Sequence, residues 1–274
     1  MRLRIRHETA YRYESPASRT IQVVRLTPRG HDGQFVVGWR IEVDHDCRLD
    51  ASADPFGNTV HSFTVEGPLD GLVIAAEGEI ETRDTHGIVS GQVERMPPQV
   101  FLRDTALTEA DAAIRDLADT AAAFGGDDPI KVMHEIMNGI RARMRFEINA
   151  TDTGTTAREA FFHGRGVCQD FAHVFVAAAR HLGVPARYVG GYLFRPDLPE
   201  GQDAGHAWAE ALIADLGWVA FDPANGISAT DAYVRTAVGL DYLGAAPVRG
   251  TQYGGAGESL AVHILIQPSG RSPK

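Results

Sequence analysis

The sequence predicts an α+β protein in which an N-terminal antiparallel β-sandwich-like domain precedes a core of helices packed on an antiparallel sheet. Three observations predict this class. Residues 1–94 contain short runs rich in β-branched and aromatic residues, separated by turn signals. Beyond residue 100 the chain contains alanine-rich stretches with apolar residues at helical spacing. From residue 186 onward, strand-like runs return.

Partial alternation of apolar and polar residues predicts the N-terminal strands. We expect strands in LRIRHETAYRY, TIQVVRLTP, QFVVGWRIEVDH, NTVHSFTVEG and DGLVIAAEGEIETR. Turn signals such as SPAS, PRGHDG and DPFGN stand between them. The paired prolines of ERMPPQV predict a linker. We therefore expect a β domain over 1–94 and a core over 95–274, with a frayed tail over 268–274.

Two longer helices and one short helix are expected before the cysteine segment. The first covers LTEADAAIRDLADTAAAF, with Thr108 at its N-cap. The second has Pro129 in its first turn, where proline is tolerated, and Asp127 or Asp128 near its N-cap. The short helix AREAFF precedes a glycine-rich turn, and an amphipathic helix then begins at Cys168.

The remaining segment is expected to supply the sheet of the core. ARYVGGYLF, HAWAEALI and GWVAFDPA are typical of strands, and SLAVHILIQ predicts the final one. A single helical turn is expected near TDAYVR.

The composition is that of a globular protein, because 44% of residues are hydrophobic and 23% are charged. The formal net charge is 26 − 36 = −10, which argues against a nucleic-acid partner or an anionic membrane surface. The sequence contains no signal-peptide pattern and no apolar run near the ~20 residues of a membrane span, so a cytoplasmic location is expected. In that compartment Cys47 and Cys168 are expected to be free thiols.

The position of Cys168 is typical of a nucleophile. The first turn of a helix carries unpaired N–H groups and a partial positive charge, which stabilise a thiolate. The same N–H groups can bind the oxyanion that forms when a carbonyl is attacked. Gly164 and Gly166 allow the sharp turn that precedes the helix. A buried, inert cysteine at a helix start is the alternative interpretation.

A nucleophilic cysteine needs a base, and the base needs an orienting group. His206 and Asp222 lie 16 residues apart, with the midpoint at Ala214. A hairpin with an odd-length loop centred there places the two side chains opposite each other on one face. Asp222 then holds one ring nitrogen of His206 while the other faces the thiol. A satisfied histidine and an Asp-Pro turn are the alternative interpretations.

Two further carboxylates are expected to have other roles. Glu210 shares a strand face with His206 but lies ~13 Å away at ~3.3 Å per residue, which is too far for a hydrogen bond. Asp170 stands in the first turn of the Cys168 helix and is interpreted as a capping residue. The chain lacks HExxH, CxxC, Walker A and GxGxxG motifs, so neither a metal nor a nucleotide cofactor is expected.

Three sequence blocks stand in a specific order: G-x-C-x-D in GRGVCQDFAH, H-A-W in GHAWAEALIADLG, and F-D-P in GWVAFDPANG. With GVPARYVGGYL and the N-terminal β region, they resemble the bacterial transglutaminase-like superfamily, relatives of papain-like cysteine proteases. The resemblance covers nearly the whole chain. It implies a transglutaminase-like, papain-like core with catalytic Cys168, His206 and Asp222, the three residues that the chemical argument selects.

The resemblance also implies an oxyanion site. Animal transglutaminases use a tryptophan upstream of the cysteine, but the tryptophans of this chain, Trp39, Trp208 and Trp218, do not occupy that place. We expect the Cys168 N–H as the first donor, with Asn149 as a candidate for the second.

The expected function is a cysteine-dependent amide hydrolase, a peptidase or amidase that acts through a thioester on a peptide or protein substrate. Transfer of the acyl group to an amine, as in a transglutaminase, is the alternative, and acetyl transfer to an arylamine is a third chemistry for the same residues. A non-catalytic protein-binding module on the same fold is the alternative of another class. The β domain is expected to lie against the core near the cleft.

Overall fold

The computed structural model describes residues 1–270 and has two six-stranded antiparallel sheets, with the longer helices grouped on one of them, and a short two-stranded parallel sheet. The elements in chain order are β1 (Arg2–Thr27), β2 (Gln34–Val43), β3 (Asp50–Ala53), β4 (Thr59–Thr82), β5 (Ile88–Val89), a 3-10 helix (Pro98–Leu102), α1 (Ala112–Gly125), α2 (Pro129–Arg143), β6 (Arg145–Phe146), α3 (Ala157–His163), β7 (Arg165–Gly166), α4 (Cys168–His181), β8 (Ala186–Leu193), β9 (His206–Ile213), β10 (Gly217–Asp222), β11 (Ile227–Ser228), β12 (Tyr233–Gly239), α5 (Tyr242–Ala245), β13 (Val248–Tyr253) and β14 (Ala256–Pro268).

The first sheet is built on two very long strands, β1 and β4, which pair with each other over nearly their whole length. Each of these strands covers two segments that the sequence analysis predicts as separate strands. The SPAS segment does not end β1, because the pairing with β4 continues through register shifts between Arg12 and Arg19. Such irregularities bend a strand without ending it. The predicted turn is therefore a bend within a continuous strand.

The C-terminal segment, which the sequence analysis includes in the core over 95–274, pairs with the first sheet. β13 and β14 form antiparallel pairs with the two halves of β1. Ser269 N–H also donates to the carbonyl of Arg2 at 2.8 Å, so 268–269 are docked on the sheet rather than frayed. Residues 271–274 of the expected tail lie outside the described part of the chain. Local patterning predicts the final strand but not which sheet it joins.

The second sheet has the strand order β11-β10-β9-β8-β12, with β5 pairing to β10. One face of this sheet packs against α2 and α4, and α1 and α3 pack on these helices in the same apolar core. Helix α4 lies at the centre, and every residue from Gln169 to Arg180 is buried. Among residues 1–270, no helix is long and apolar enough to cross a membrane.

Two local predictions are wrong for identifiable reasons. The N-cap of α1 is Asp111, which accepts the Ile114 N–H at 2.9 Å, while the Thr108 hydroxyl accepts a buried hydrogen bond from Arg180 at 2.8 Å. The TDAYVR segment leads into strand β12, which is buried along its whole length. Burial on both faces removes the alternation by which strands are recognised. The helical turn is α5, a few residues later.

Buried polar contacts join the first sheet to the second. The Gln34 side chain donates to the Arg235 carbonyl and accepts the Arg235 N–H, both at 2.8 Å. Asn58 makes the same pair of contacts with Val238, at 2.7 and 2.8 Å. Each amide satisfies both backbone groups of a residue on β12. These contacts fix the position of the first sheet against the core.

A buried ion network crosses the second sheet on its other face. Glu210 is fully buried and accepts hydrogen bonds from Arg187 at 2.6 Å and Arg235 at 2.8 Å. Arg187 also donates to Glu94 and stacks on Trp218, with 3.8 Å from the guanidinium carbon to the ring centroid. Burial raises the pKa of Glu210, but the two arginines outweigh it and lower the pKa to about 2.

Replacing Glu210 should destabilise the fold strongly. We expect Glu210→Gln to lower the free energy of unfolding by about 3–5 kcal/mol, because two buried guanidinium groups lose their shared counter-charge. The matched control is Glu66→Gln, which breaks the exposed 2.8 Å pair with Arg19 and should cost less than about 1 kcal/mol. Urea unfolding followed by circular dichroism measures both. Equal costs for the two variants would contradict this account.

Candidate active site

Cys168 is the first residue of α4, where local geometry exposes the free N–H groups of the helix end. The chain turns at Gly164, which has a left-handed φ of 65°, and Val167 is extended before the helix begins. Asp170 accepts the Val167 N–H at 2.7 Å and the Thr151 hydroxyl at 2.6 Å. Asp170 thus caps the helix, as its position in the sequence suggests. A Cβ on Gly166 would lie 2.4 Å from the Asp170 carboxylate, so this turn needs glycine.

His206 and Asp222 meet across neighbouring strands. The distance from His206 Nε2 to Asp222 Oδ2 is 2.6 Å. This contact leaves Nδ1 as the ring nitrogen available to the thiol. His206 begins β9 and Asp222 ends the neighbouring antiparallel strand β10, so both lie at the same end of the second sheet. The structure therefore brings together the three residues that the sequence singles out.

The hairpin that joins these strands differs from the expected register by two residues. Ile213 pairs with Gly217, so the odd-length loop is centred on Asp215 rather than Ala214. In this register His206 lies diagonally across from Asp222, not directly opposite. The register shift is an even number of residues, so the side chains of His206 and Asp222 remain on the same face of the sheet. Asp215 has a φ of 66°, a left-handed conformation that aspartate tolerates better than most residues.

Asp222 is fully buried, and its carboxylate accepts hydrogen bonds from several neighbouring donors. Its Oδ2 accepts the Tyr233 hydroxyl and the Asn225 side-chain amide, each at 2.7 Å, in addition to His206. Its Oδ1 accepts the backbone N–H groups of Ala224 and Asn225 at 3.0 and 3.1 Å. Burial raises the pKa of Asp222, but these contacts and His206 outweigh it and lower the pKa. Asp222 is thus an ionised, immobile acceptor.

The charge state of His206 follows from its neighbours. Burial lowers its pKa, while the hydrogen bond to Asp222 and the nearby Cys168 and Asp222 charges raise it to about 10. An imidazolium between a carboxylate and a sulfur is the arrangement of an activated thiolate. The ring also stacks on Trp208, with 6.1 Å between centroids.

Cys168 and His206 line a mostly apolar cavity of about 270 Å³ between the two sheets. The core side includes Tyr188, whose phenol has a pKa raised well above its usual value by burial and by the charge of Cys168. The opposite wall comes from the first sheet, including buried His7 and Thr9 of β1. The β domain thus lies against the core at the cleft, as expected, and it contributes part of the cavity wall.

Comparison with known proteins agrees with this arrangement. A family model described as the transglutaminase-like superfamily matches residues 118–223, a range that contains Cys168, His206 and Asp222. A second, the bacterial transglutaminase-like N-terminal region, matches 3–81. An uncharacterized protein of Mycobacterium leprae (strain TN) is 30% identical over 279 residues, covering 97% of this chain and 98% of its own. The chain belongs to the transglutaminase-like superfamily.

Other relatives of this transglutaminase-like protein share the same overall plan. An uncharacterized protein of Mycobacterium tuberculosis (strain ATCC 25618 / H37Rv) is 28% identical and covers 92% of this chain and 88% of its own. The crystal structure of a candidate cysteine protease from Cytophaga hutchinsonii has a TM-score of 0.78 at 19% identity. The alignment covers 100% of this chain and 92% of that one, which confirms the fold over both sheets.

The sequence analysis missed two residues that contact Asp222, namely Asn225 and Tyr233. Asn225 stands three residues after Asp222, a spacing typical of local capping, which is a signal that could have found it. Tyr233 carries no such signal, since only the fold brings it to Asp222. Asn149, the candidate for a second oxyanion donor, is exposed and does not line the cavity. Within residues 1–270, no cluster of side chains has the composition of a metal site.

Cys168 should react with iodoacetamide at pH 6 at least about a hundredfold faster than Cys47, because the His206 imidazolium stabilises its thiolate. Burial and the charges of Asp46 and Asp44 raise the pKa of Cys47. His206 is fully protonated well below pH 10 and loses its proton as the pH rises through about 10. The rate advantage of Cys168 over Cys47 should therefore shrink near that pH. Mass spectrometry of the two cysteine peptides measures both rates.

The same measurement on His206→Ala provides the control. That variant should lose the reactivity of Cys168 at pH 6 while leaving the rate at Cys47 unchanged. If Cys168 and Cys47 label at similar rates in the wild type, the pair is not an activated thiolate.

Proposed function

We propose that this protein is a cysteine-dependent amide hydrolase, a peptidase or amidase that acts on a peptide or protein substrate through a thioester. The observation that carries the proposal is that His206, hydrogen-bonded to buried Asp222, lines the same cavity as Cys168. A nucleophile, a base and an orienting carboxylate are the three roles that acyl transfer requires.

The reaction begins with attack of the Cys168 thiolate on the amide carbonyl carbon. A sulfur–carbon bond forms and the carbonyl electrons move to oxygen. When the oxyanion collapses, the carbon–nitrogen bond breaks and the His206 imidazolium gives its proton to the departing amine. His206, now neutral, takes a proton from water as the water attacks the thioester. The acid is released, and the thiolate and imidazolium are restored.

Two groups stabilise the charges that develop. The oxyanion forms beside the start of α4, where the Cys168 N–H has no partner within the helix and the helix dipole is positive. Asp222 keeps the ring of His206 in one tautomer and stabilises its positive charge, while Tyr233 and Asn225 hold the carboxylate in place. Because Asp222 is already fixed in the free protein, no reorganisation is needed in the transition state.

Acyl transfer to an amine is the alternative outcome of the same thioester, and membership of the transglutaminase-like superfamily favours it. The test is product analysis by mass spectrometry after incubation with peptide amides, with and without excess primary amine. We expect the free acid in both cases, and a Cys168→Ala variant should form none. A predominant amine adduct would assign transglutaminase activity, and no product from any amide would favour the binding module.

Asp222→Asn should lower kcat/KM about a thousandfold or more, because an amide at this position no longer holds the charged form of His206. Asp215→Asn is the matched control. It lies in the loop of the same hairpin, is exposed, and its left-handed backbone accepts asparagine. We expect the control to retain wild-type kinetics. Activity of Asp222→Asn within tenfold of wild type would contradict the role given to this carboxylate.

A further inference from the structure

Strand β14 has an outer edge that is open over most of its length. Its inner edge pairs with β1 in an unbroken antiparallel register, between residues 3–13 and 258–268. On the outer edge the described chain makes one bridge, in which Ile264 exchanges two backbone hydrogen bonds with Gln202, at 2.7 and 2.8 Å. The residues that precede Ile264 therefore leave one row of backbone groups without a neighbouring strand.

The bridge at Ile264 determines which residues face this open edge. In an antiparallel strand, a residue that exchanges both hydrogen bonds with one neighbour has its N–H and C=O on that side, and residues two and four positions away point the same way. Val262 and Leu260 therefore direct their backbone groups away from β1. Within residues 1–270, β14 pairs with no strand other than β1. Leu260 is 55% exposed, so a ligand can approach this edge.

The open edge lies beside the catalytic residues. The two residues with outward backbone groups line the same cavity as Cys168 and His206. Gly205, which precedes His206, lies against β14, since a Cβ on Gly205 would be 4.0 Å from Ile264 Cδ1. Val262 is two residues, or ~7 Å, from Ile264. We therefore expect an extended chain of about four residues, ~13 Å long, to reach from the cysteine to this edge.

The two edges of the first sheet differ in their protection. Exposed edges are usually protected by charged residues, proline or a bulge, because unpaired backbone groups otherwise pair with other chains. Strand β2, at the opposite edge, has a register shift between Val36 and Gly38 and carries Arg40 and Glu42. In β14, residues 259–262 contain no charged residue, no proline and no register shift. The unprotected edge is the one beside the cavity.

We propose that the open edge of β14 is a substrate-binding site, and that the substrate class is an extended peptide that adds a strand to the first sheet. The backbone groups of Leu260 and Val262 pair with the peptide backbone, and alternate side chains of the peptide point towards the cavity. Such pairing selects an unfolded or flexible segment. The inference rests on the proposed function, because it takes Cys168 as the nucleophile that the bound peptide reaches. A second copy of this chain, paired edge to edge, is the competing occupant.

Covalent capture of a peptide tests the inference by amide hydrogen exchange. The Cys47→Ala variant leaves Cys168 as the only thiol. The probe is acetyl-Ala-Ala-Ala-Phe chloromethyl ketone, and the sulfur of Cys168 forms a bond to its methylene carbon as chloride leaves. Phenylalanine is chosen because the cavity is mostly apolar. Protein alkylated by iodoacetamide is the control, and NMR measures the exchange of amides 260–263 in both forms.

In the iodoacetamide form, the amides of Leu260 and Val262 should exchange at least about tenfold faster than those of Ala261 and His263, which point towards β1. In the peptide form, exchange at Leu260 and Val262 should slow about tenfold or more. Unchanged exchange at these two residues would overturn the inference. Slow exchange there already in the iodoacetamide form, strengthening with protein concentration, would assign the edge to a second copy and overturn it as well.

A proline variant of β14 tests the same contact by rate. Leu260→Pro removes the outward N–H without breaking a hydrogen bond to β1. Leu260→Ala is the matched control, because it also loses the side chain but keeps the N–H. The rate with the peptide reagent, divided by the iodoacetamide rate of the same variant, should be at least about threefold lower for Leu260→Pro. Equal normalised rates in the two folded variants would contradict the pairing, and the exchange measurement decides if the proline variant does not fold.

The peptide site and the proposed function fail in different ways. Fast, His206-dependent labelling by iodoacetamide with unprotected amides at Leu260 and Val262 would remove the peptide site and leave the proposed function standing. Labelling of Cys168 by iodoacetamide but not by the peptide reagent would have the same meaning. Loss of the His206-dependent labelling itself would remove both.

Discussion

The hydrogen bond between Asp222 and His206 is the interaction on which the chemistry of this protein depends. A buried carboxylate is costly unless its oxygens are paired, and Asp222 is paired with His206, Tyr233, Asn225 and two backbone amides. Once its negative charge is fixed, the proton on His206 is stabilised and a thiolate at Cys168 gains a cation beside it. The positive charge of His206 at the cavity wall is thus stabilised by Asp222 in the second sheet. The N-terminus of α4, which carries Cys168, adds the partial positive charge of the helix dipole.

The first sheet forms part of the wall of the cavity at Cys168. The first strand and the last strand meet in it, because β14 returns to pair with β1 after the core is complete. Gln34 and Asn58 then fix the sheet to β12 through backbone hydrogen bonds. The first sheet thereby forms one wall of a cavity that the core alone would leave open.

Features that depend on neighbouring residues can be predicted from the sequence, whereas features that depend on how distant strands pair cannot. The helix at Cys168, the capping role of Asp170 and the shared face of His206 and Asp222 follow from spacing and backbone geometry. The exact hairpin register does not, because any even shift keeps the same face buried. The pairing of the last strand with β1 and the approach of Tyr233 to Asp222 depend on contacts distant in sequence. Neither contact can be predicted from a local sequence pattern.

The central claim is that Cys168 forms a covalent acyl-enzyme, and rapid acid quenching tests it most directly. The protein is mixed with an amide of N-acetyl-L-phenylalanine, quenched within the first turnover, digested and measured by mass spectrometry. The account predicts the acyl mass on the Cys168 peptide, its absence in Cys168→Ala and its loss on treatment with hydroxylamine, which cleaves thioesters. Cleavage of the amide with no adduct on Cys168, or with the adduct on another residue, would contradict it.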